Sequence, residues 1–167
     1  YWDLDYPLAS DLAPSAEADY EALEHCLERS VARRLQADVD VGFYLSGGLD
    51  SSLIAALVSE HDRALNVNRT RHAFSIGFTD ARIDERRQQS MVAEQVGALH
   101  HTQVFDSDAI QSRLRQAVWY AEAPLKESYN TCSLALSALV RSNSLKVVLT
   151  GEGADELFGG YVGYRLD

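Results

Sequence analysis

An apolar, β-branched run from Val39 to Leu45 leads directly into Ser46-Gly47-Gly48 and then into Leu53-Ile54-Ala55-Ala56-Leu57-Val58. The run reads as a buried strand and the later segment as a helix, so a Ser-Gly-Gly turn joins a strand end to a helix start. That junction begins a βα unit, and the pattern repeats. Ala73–Phe78, His100–Phe105 and Lys146–Leu149 read as three further strands. Helical stretches separate them. One opens at Asp84 or its neighbours, with Asp84-Glu85 as a candidate cap, carries Met91, Val92 and Val96 at helical spacing, and stops at Gly97. The next is capped by Asp106-Ser107-Asp108 and runs to about Tyr120, and another runs from Asn130 or Thr131 to about Arg141. A helix opened by Ser15, with Leu23, Leu27, Val31 and Leu35 on one face, precedes the first strand. Strands alternating with helices imply an α/β fold, a parallel doubly wound sheet with right-handed crossovers. Ligands bind beyond the carboxyl ends of the strands of such sheets. Val39–Leu45 is expected beside Lys146–Leu149, which brings the loops after both strands to one crevice.

The turn at 46–52 has the makings of an anion site. Two glycines let the backbone bend and let a ligand approach. The N–H groups of the turn and of the first helical turn have no internal partners and carry the positive end of the helix dipole. Ser46, Ser51 and Ser52 add hydroxyl donors. Asp50 is the exception, since a carboxylate beside bound phosphate is repelled unless it holds a cation. The plain alternative is a connecting turn with Asp50 or Ser51 capping the helix. No Lys follows the glycines and there is no GxGxxG, so neither the Walker loop nor the dinucleotide fingerprint is present.

The last strand runs into Thr150-Gly151-Glu152-Gly153-Ala154-Asp155-Glu156-Leu157-Phe158-Gly159-Gly160-Tyr161. Glu152, Asp155 and Glu156 crowd together there, and like charges so close need a cation, a basic partner or raised pKa values. A solvated acidic helix start explains the acids but not the flanking glycines.

Composition bounds the remaining classes. Twenty-five acids against fifteen bases leave a net charge of −10, which argues against general binding to nucleic acid or anionic membranes. No apolar run approaches the ~20 residues of a membrane helix. Cys26 and Cys132 form no CxxC pair and read as buried free thiols, in keeping with a reducing, cytoplasmic setting. His100-His101 reads as packing or surface, with no ligand set around it. Residues 1–14, with Pro7 and Pro14, read as a linker or arm.

The 46–52 turn resembles the SGGxDS loop of the PP-loop ATP pyrophosphatases, an adenine nucleotide alpha-hydrolase-like fold. Together with Gly151 to Tyr161, Phe74-Ser75-Ile76-Gly77-Phe78, Asp84-Glu85 and Leu99-His100-His101, it is similar to the synthetase domain of glutamine-hydrolysing asparagine synthetases. The resemblance makes 15–167 a C-terminally truncated domain of that type, and Tyr1-Trp2-Asp3-Leu4 resembles the passage from the glutaminase half. It implies an ATP-dependent amide ligase with ATP and Mg²⁺. A carboxylate, aspartate in the typical member, is adenylated with release of pyrophosphate, and ammonia then displaces AMP. It further implies a nucleotide site of Leu45, Ser46, Gly47, Gly48, Asp50, Ser51, Ile76, Thr150 and Gly151, with Asp50 and Asp155 on the metal and Glu152 handling the proton of the attacking nitrogen. The chain begins at Tyr1 rather than with the family's nucleophilic cysteine, so the glutaminase domain is expected to be missing, as is a functional lysine beyond Tyr161. A related synthetase with another substrate or an internal amine, as in β-lactam formation, stays open, as do an inactive nucleotide-binding fragment and a homodimer. Residues 121–128 fall where the substrate is selected.

Overall fold

The computed structural model describes residues 17–125 and 128–165. The expected cap at Ser15, the arm before it, and Lys126 and Glu127 of the selection segment lie outside them. Four strands form one parallel sheet: β1 (Val41–Tyr44), β2 (His72–Phe78), β3 (Leu99–Phe105) and β4 (Val147–Leu149), in the order β3-β2-β1-β4. The first strand is therefore internal. Phe43 pairs with Ala73 of β2 on one side and with Leu149 of β4 on the other. The expected neighbourhood of the first and last strands is observed. β2 and β3 pair along their whole length, from His72↔Leu99 to Phe78↔Phe105.

Helices cover both faces, as in a doubly wound sheet. Helices α1 (Glu17–Arg34), α2 (Leu49–Ala64) and α3 (Arg86–Val96) pack on one side, where Val31, Phe43, Leu45, Ala55, Val58, Ala73 and Ala93 form the main core. Helices α4 (Ser107–Ala121) and α5 (Asn130–Ser142) cover the other. Leu136 and Val140 of α5 pack on Phe74 there, and Cys132 and Ala135 pack on Phe105. Helix α3 stops where Gly97 turns to φ +70, and Asp106 caps α4 by accepting from the Ala109 N–H at 2.8 Å, both as expected. No described helix is long and apolar enough to cross a membrane.

Three expectations are corrected. Asp84 does not cap α3: its carboxylate accepts from the Phe78 N–H at 3.1 Å and from Arg86, closing the loop after β2. The Phe78 N–H, followed by the Arg86 guanidinium, holds that carboxyl below the usual range. The buried face of α3 is Gln89 and Ala93 with Val92 and Val96 beside them, whereas Met91 is 60% exposed. Both cysteines are free, but only Cys132 is buried and Cys26 is exposed.

The amino end of the sheet is tied by one buried ion pair. Arg71, just before β2, donates Nε and an Nη to the two carboxylate oxygens of Asp62 at 2.6 and 2.7 Å and its other Nη to the Val41 carbonyl at 3.1 Å. It thereby locks the last turn of α2 to the start of β1. Removing one partner of a buried pair strands the other charge. Asp62→Ala is accordingly expected to lose roughly 3–5 kcal/mol in urea unfolding, and a loss below 1 kcal/mol would contradict the locking role.

A second polar cluster spans β2 and β3. His72 Nδ1 and His101 Nε2 lie 3.0 Å apart, and both rings stack with Phe74. On the opposite face Ser75 donates to the Leu45 carbonyl at 2.6 Å and so takes the His100 Nε2 contact at 2.8 Å as acceptor. Burial, reinforced by the neighbouring histidines, pushes His100 and His101 below their ordinary values. A lowered folded-state pKa means that the unfolded chain binds more protons. The stability these rings contribute is therefore present above the unfolded value of ~6.5 and is lost as pH falls through their lower folded values. Urea midpoints should fall between pH 7.5 and 5.5, and His101→Gln should flatten the fall. An unchanged slope in the variant would count against this ring.

Candidate active site

The two glycine-rich loops meet beyond the carboxyl ends of β1 and β4. Their meeting is a backbone contact. A Cβ at Gly151 would lie 2.8 Å from the Ser51 nitrogen and 2.9 Å from the Asp50 carbonyl carbon, so only glycine lets the exit of β4 pass the start of α2. Beside this contact is a cleft of about 200 Å³, lined by Tyr44, Ser46, Asp50, Ser51, Thr150, Gly151, Glu152, Gly153, Asp155, Glu156 and Tyr161. Seven expected site residues come together there: Ser46, Asp50, Ser51, Thr150, Gly151, Glu152 and Asp155. Gly47, Gly48, Leu45 and Ile76 are not among its lining. The Leu45 side chain is 1% exposed and belongs to the core, and Ile76 packs toward α5.

Not every donor of the 46–52 loop faces outward. The Ser46 N–H donates to Ser51 Oγ at 3.1 Å and the Gly48 N–H to Ser46 Oγ at 3.2 Å. Ser52 donates its hydroxyl to the Gly48 carbonyl at 2.6 Å, and Gly48, not Asp50 or Ser51, is the residue that caps α2. The serines thus brace the loop on itself. The donors that remain for an anion are the N–H groups of the first turn of α2, which have no intrahelical acceptor.

A residue outside both motifs steadies the loop. Gln89 of α3, 3% exposed, donates Nε2 to the Ile76 carbonyl at 2.9 Å and to the Ser46 carbonyl at 3.3 Å. Its backbone comes so close that a Cβ at Gly47, where φ is +88, would lie 3.2 Å from the Gln89 nitrogen. Gln89 joins the exits of β1 and β2, and the helical spacing of its neighbours is the one signal that could have placed it inside.

The far wall is acidic. Helix α6 (Ala154–Phe158) starts at Gly153 with φ +93 and ends at Gly159 with φ +66. It carries Asp155 and Glu156. The Tyr161 hydroxyl donates to Glu156 Oε1 at 2.7 Å. That bond holds the Glu156 carboxyl below its usual range, and it pushes the Tyr161 phenol up to about 12, helped by burial and by the charges of Glu156, Asp155 and Glu152. No described ion pair neutralises Asp50, Glu152 or Asp155. The described residues form no set of three or more metal-binding side chains. Two hard carboxylates, Asp50 and Asp155, on one cleft nevertheless suit Mg²⁺, which is commonly held by one or two carboxylates together with substrate phosphates.

The profile of the family described as asparagine synthase matches residues 22–167. The amidase chyE of Penicillium rubens is 38% identical across 100% of this chain and 26% of its own length. The glutamine-hydrolyzing root asparagine synthetase of Pisum sativum is 34% identical across 92% of this chain and 27% of its own. The chain spans about a quarter of the length of these relatives. Among solved structures, the NH3-dependent NAD synthetase of Campylobacter jejuni superposes with a TM-score of 0.54 at 19% identity, covering 86% of this chain and 61% of its own. The glutamine-dependent NAD+ synthetase of Acinetobacter baumannii, in complex with ADP, gives 0.53 at 19%, covering 90% and 29%. The fold is the PP-loop, adenine nucleotide alpha-hydrolase-like type.

Gly151→Ala tests whether the two loops work as one site. A methyl group there meets backbone, so the loops must separate. The expected result is roughly 1–3 kcal/mol of destabilisation with loss of pyrophosphate binding in a calorimetric titration. Unchanged binding would mean that the loops act independently.

Proposed function

The chain belongs to the asparagine synthase family, and from that membership we propose that its cleft is the ATP site of an amide ligase. The observation that carries the reading is the convergence of Asp50, Glu152 and Asp155 with the start of α2 on one cleft. In the reaction a substrate carboxylate attacks the α-phosphate of ATP, an acyl-adenylate forms and pyrophosphate leaves. Ammonia then attacks the acyl carbon and AMP departs. The N–H groups of the first turn of α2 hold the pyrophosphate, where developing negative charge gains most from fixed dipoles. Asp50 and Asp155 are the residues that would hold Mg²⁺, which would supply charge neutralisation for the leaving pyrophosphate. Adenosine is assigned to the exits of β2, β1 and β4, against the backbone of Ile76, Leu45 and Gly151. Ammonia reaches the site from a glutamine-hydrolysing partner domain in the full-length protein, as the name of the pea relative suggests.

Aspartate is the substrate in the typical reading. A second reading keeps the adenylation and changes the acyl substrate or the amine. It is prompted by the amidase name of chyE, a relative at 38% identity. Pyrophosphate release that depends on aspartate supports the first reading, whereas release only with other carboxylates supports the second.

Glu152 is assigned the proton of the attacking nitrogen. It stands between two glycines at the cleft edge, exposed, where its carboxylate can reach an acyl carbon. Glu152→Gln in the full-length protein is expected to lower amide formation by roughly 10² to 10⁴-fold. Substrate-dependent exchange of labelled pyrophosphate into ATP should persist, because it reports adenylation alone. Loss of exchange together with synthesis would move Glu152 to adenylation or metal binding.

A further inference from the structure

Asp155 and Glu156 are adjacent on a helix of five residues, and both line the cleft. Their surroundings differ in a way that the motif alone does not explain. The chain after α6 folds back, with the Gly160 N–H donating to the Asp155 carbonyl at 3.0 Å. This return presses Gly160 against the Asp155 side chain. A Cβ at Gly160 would collide with Asp155 Oδ1 and lie 3.0 Å from its Cγ. Gly160 is outside the left-handed region, so glycine is needed here for room rather than for conformation. The next residue, Tyr161, reaches the other acid and donates its hydroxyl to Glu156 Oε1 at 2.7 Å.

We infer that Gly160 and Tyr161 are positioning residues that sort the two neighbouring carboxylates, Gly160 leaving room for Asp155 to face the metal while Tyr161 keeps Glu156 occupied and off it. The inference rests on the proposed metal role of Asp155 and names what enforces it. Without the phenol, Glu156 is a second carboxylate at the same ion, competing with phosphate oxygens for its few coordination places. With a methyl group at 160 the flexible Asp155 carboxylate swings aside, at small expense to the fold, because the clash falls on the end of a side chain.

The measurement is ATP affinity of the full-length protein with and without Mg²⁺, read as the gain in affinity that Mg²⁺ produces. Gly160→Ala and Tyr161→Phe are each expected to cut that gain about tenfold, the size of losing one hydrogen bond to a charged group. Affinity without Mg²⁺ and the thermal midpoint should stay unchanged. Adding Glu156→Gln to Tyr161→Phe should restore the gain, because the amide bears no charge to compete for the ion. Equal losses with and without Mg²⁺, unrescued by Glu156→Gln, would make Tyr161 merely structural and overturn the inference. Asp155→Asn separates the two levels. If it abolishes the gain while Gly160→Ala and Tyr161→Phe leave it whole, the sorting role falls and the metal reading stands. If Asp155→Asn keeps the gain, the metal reading falls and the sorting role with it.

Discussion

The contact on which the site depends is the passage of Gly151 across the backbone of Asp50 and Ser51. Two loops separated by about a hundred residues become one cleft because no side chain intervenes at that point. The pairing of β1 with β4 makes the passage possible, and β4 is only three residues long. A strand so short gains little from its own ladder. It is held by the apolar packing of Leu149 into the core beneath α1 and α2 and by Leu145 beneath α5. The hydrophobic interior thus sets the register, and the register sets the distance between the glycine-rich loops.

The charges follow from that arrangement. Bringing the loops together gathers Asp50, Glu152, Asp155 and Glu156 on one small cavity in a chain that is already acidic. Such an assembly is unfavourable on its own, and under the proposed function a cation and its phosphates would relieve it. The start of α2 would supply the compensating dipole for the proposed phosphate side. The loop is preorganised by its own serines and by Gln89, so little of it has to be ordered by the ligand.

Much of this was legible in the sequence because the signals were local. Alternation of strand and helix follows from short periodic patterns. Gly97 and the Asp106 cap are set by chemistry within a few residues, and both glycine-rich loops fall at strand exits as the sheet rule requires. What was not legible depends on partners distant in the chain. Gln89 is a polar residue on a buried face, whose Nε2 finds its acceptors only at the Ser46 carbonyl after β1 and the Ile76 carbonyl of β2, so its own sequence neighbourhood suggests surface. Met91 was placed inside for the converse reason, since hydrophobicity alone ranks it above a glutamine. Asp84 precedes a helix and looks like a cap, yet the Phe78 N–H at the end of β2 takes its carboxylate instead. Tyr161 shows no role until the fold-back after α6 brings it to Glu156.

The Arg71–Asp62 pair lies at the amino ends of the strands, whereas the cleft opens at their carboxyl ends. Foldedness and chemistry are therefore secured at opposite poles of β1. Sequence change at one pole should alter how much folded protein a cell maintains. Change at the other should alter what each folded molecule does. A lineage can then remodel the cleft end toward new chemistry while the anchor that keeps the molecule abundant goes untouched. The division offers a physical reason why one fold can underlie relatives as differently named as an amidase and an asparagine synthetase.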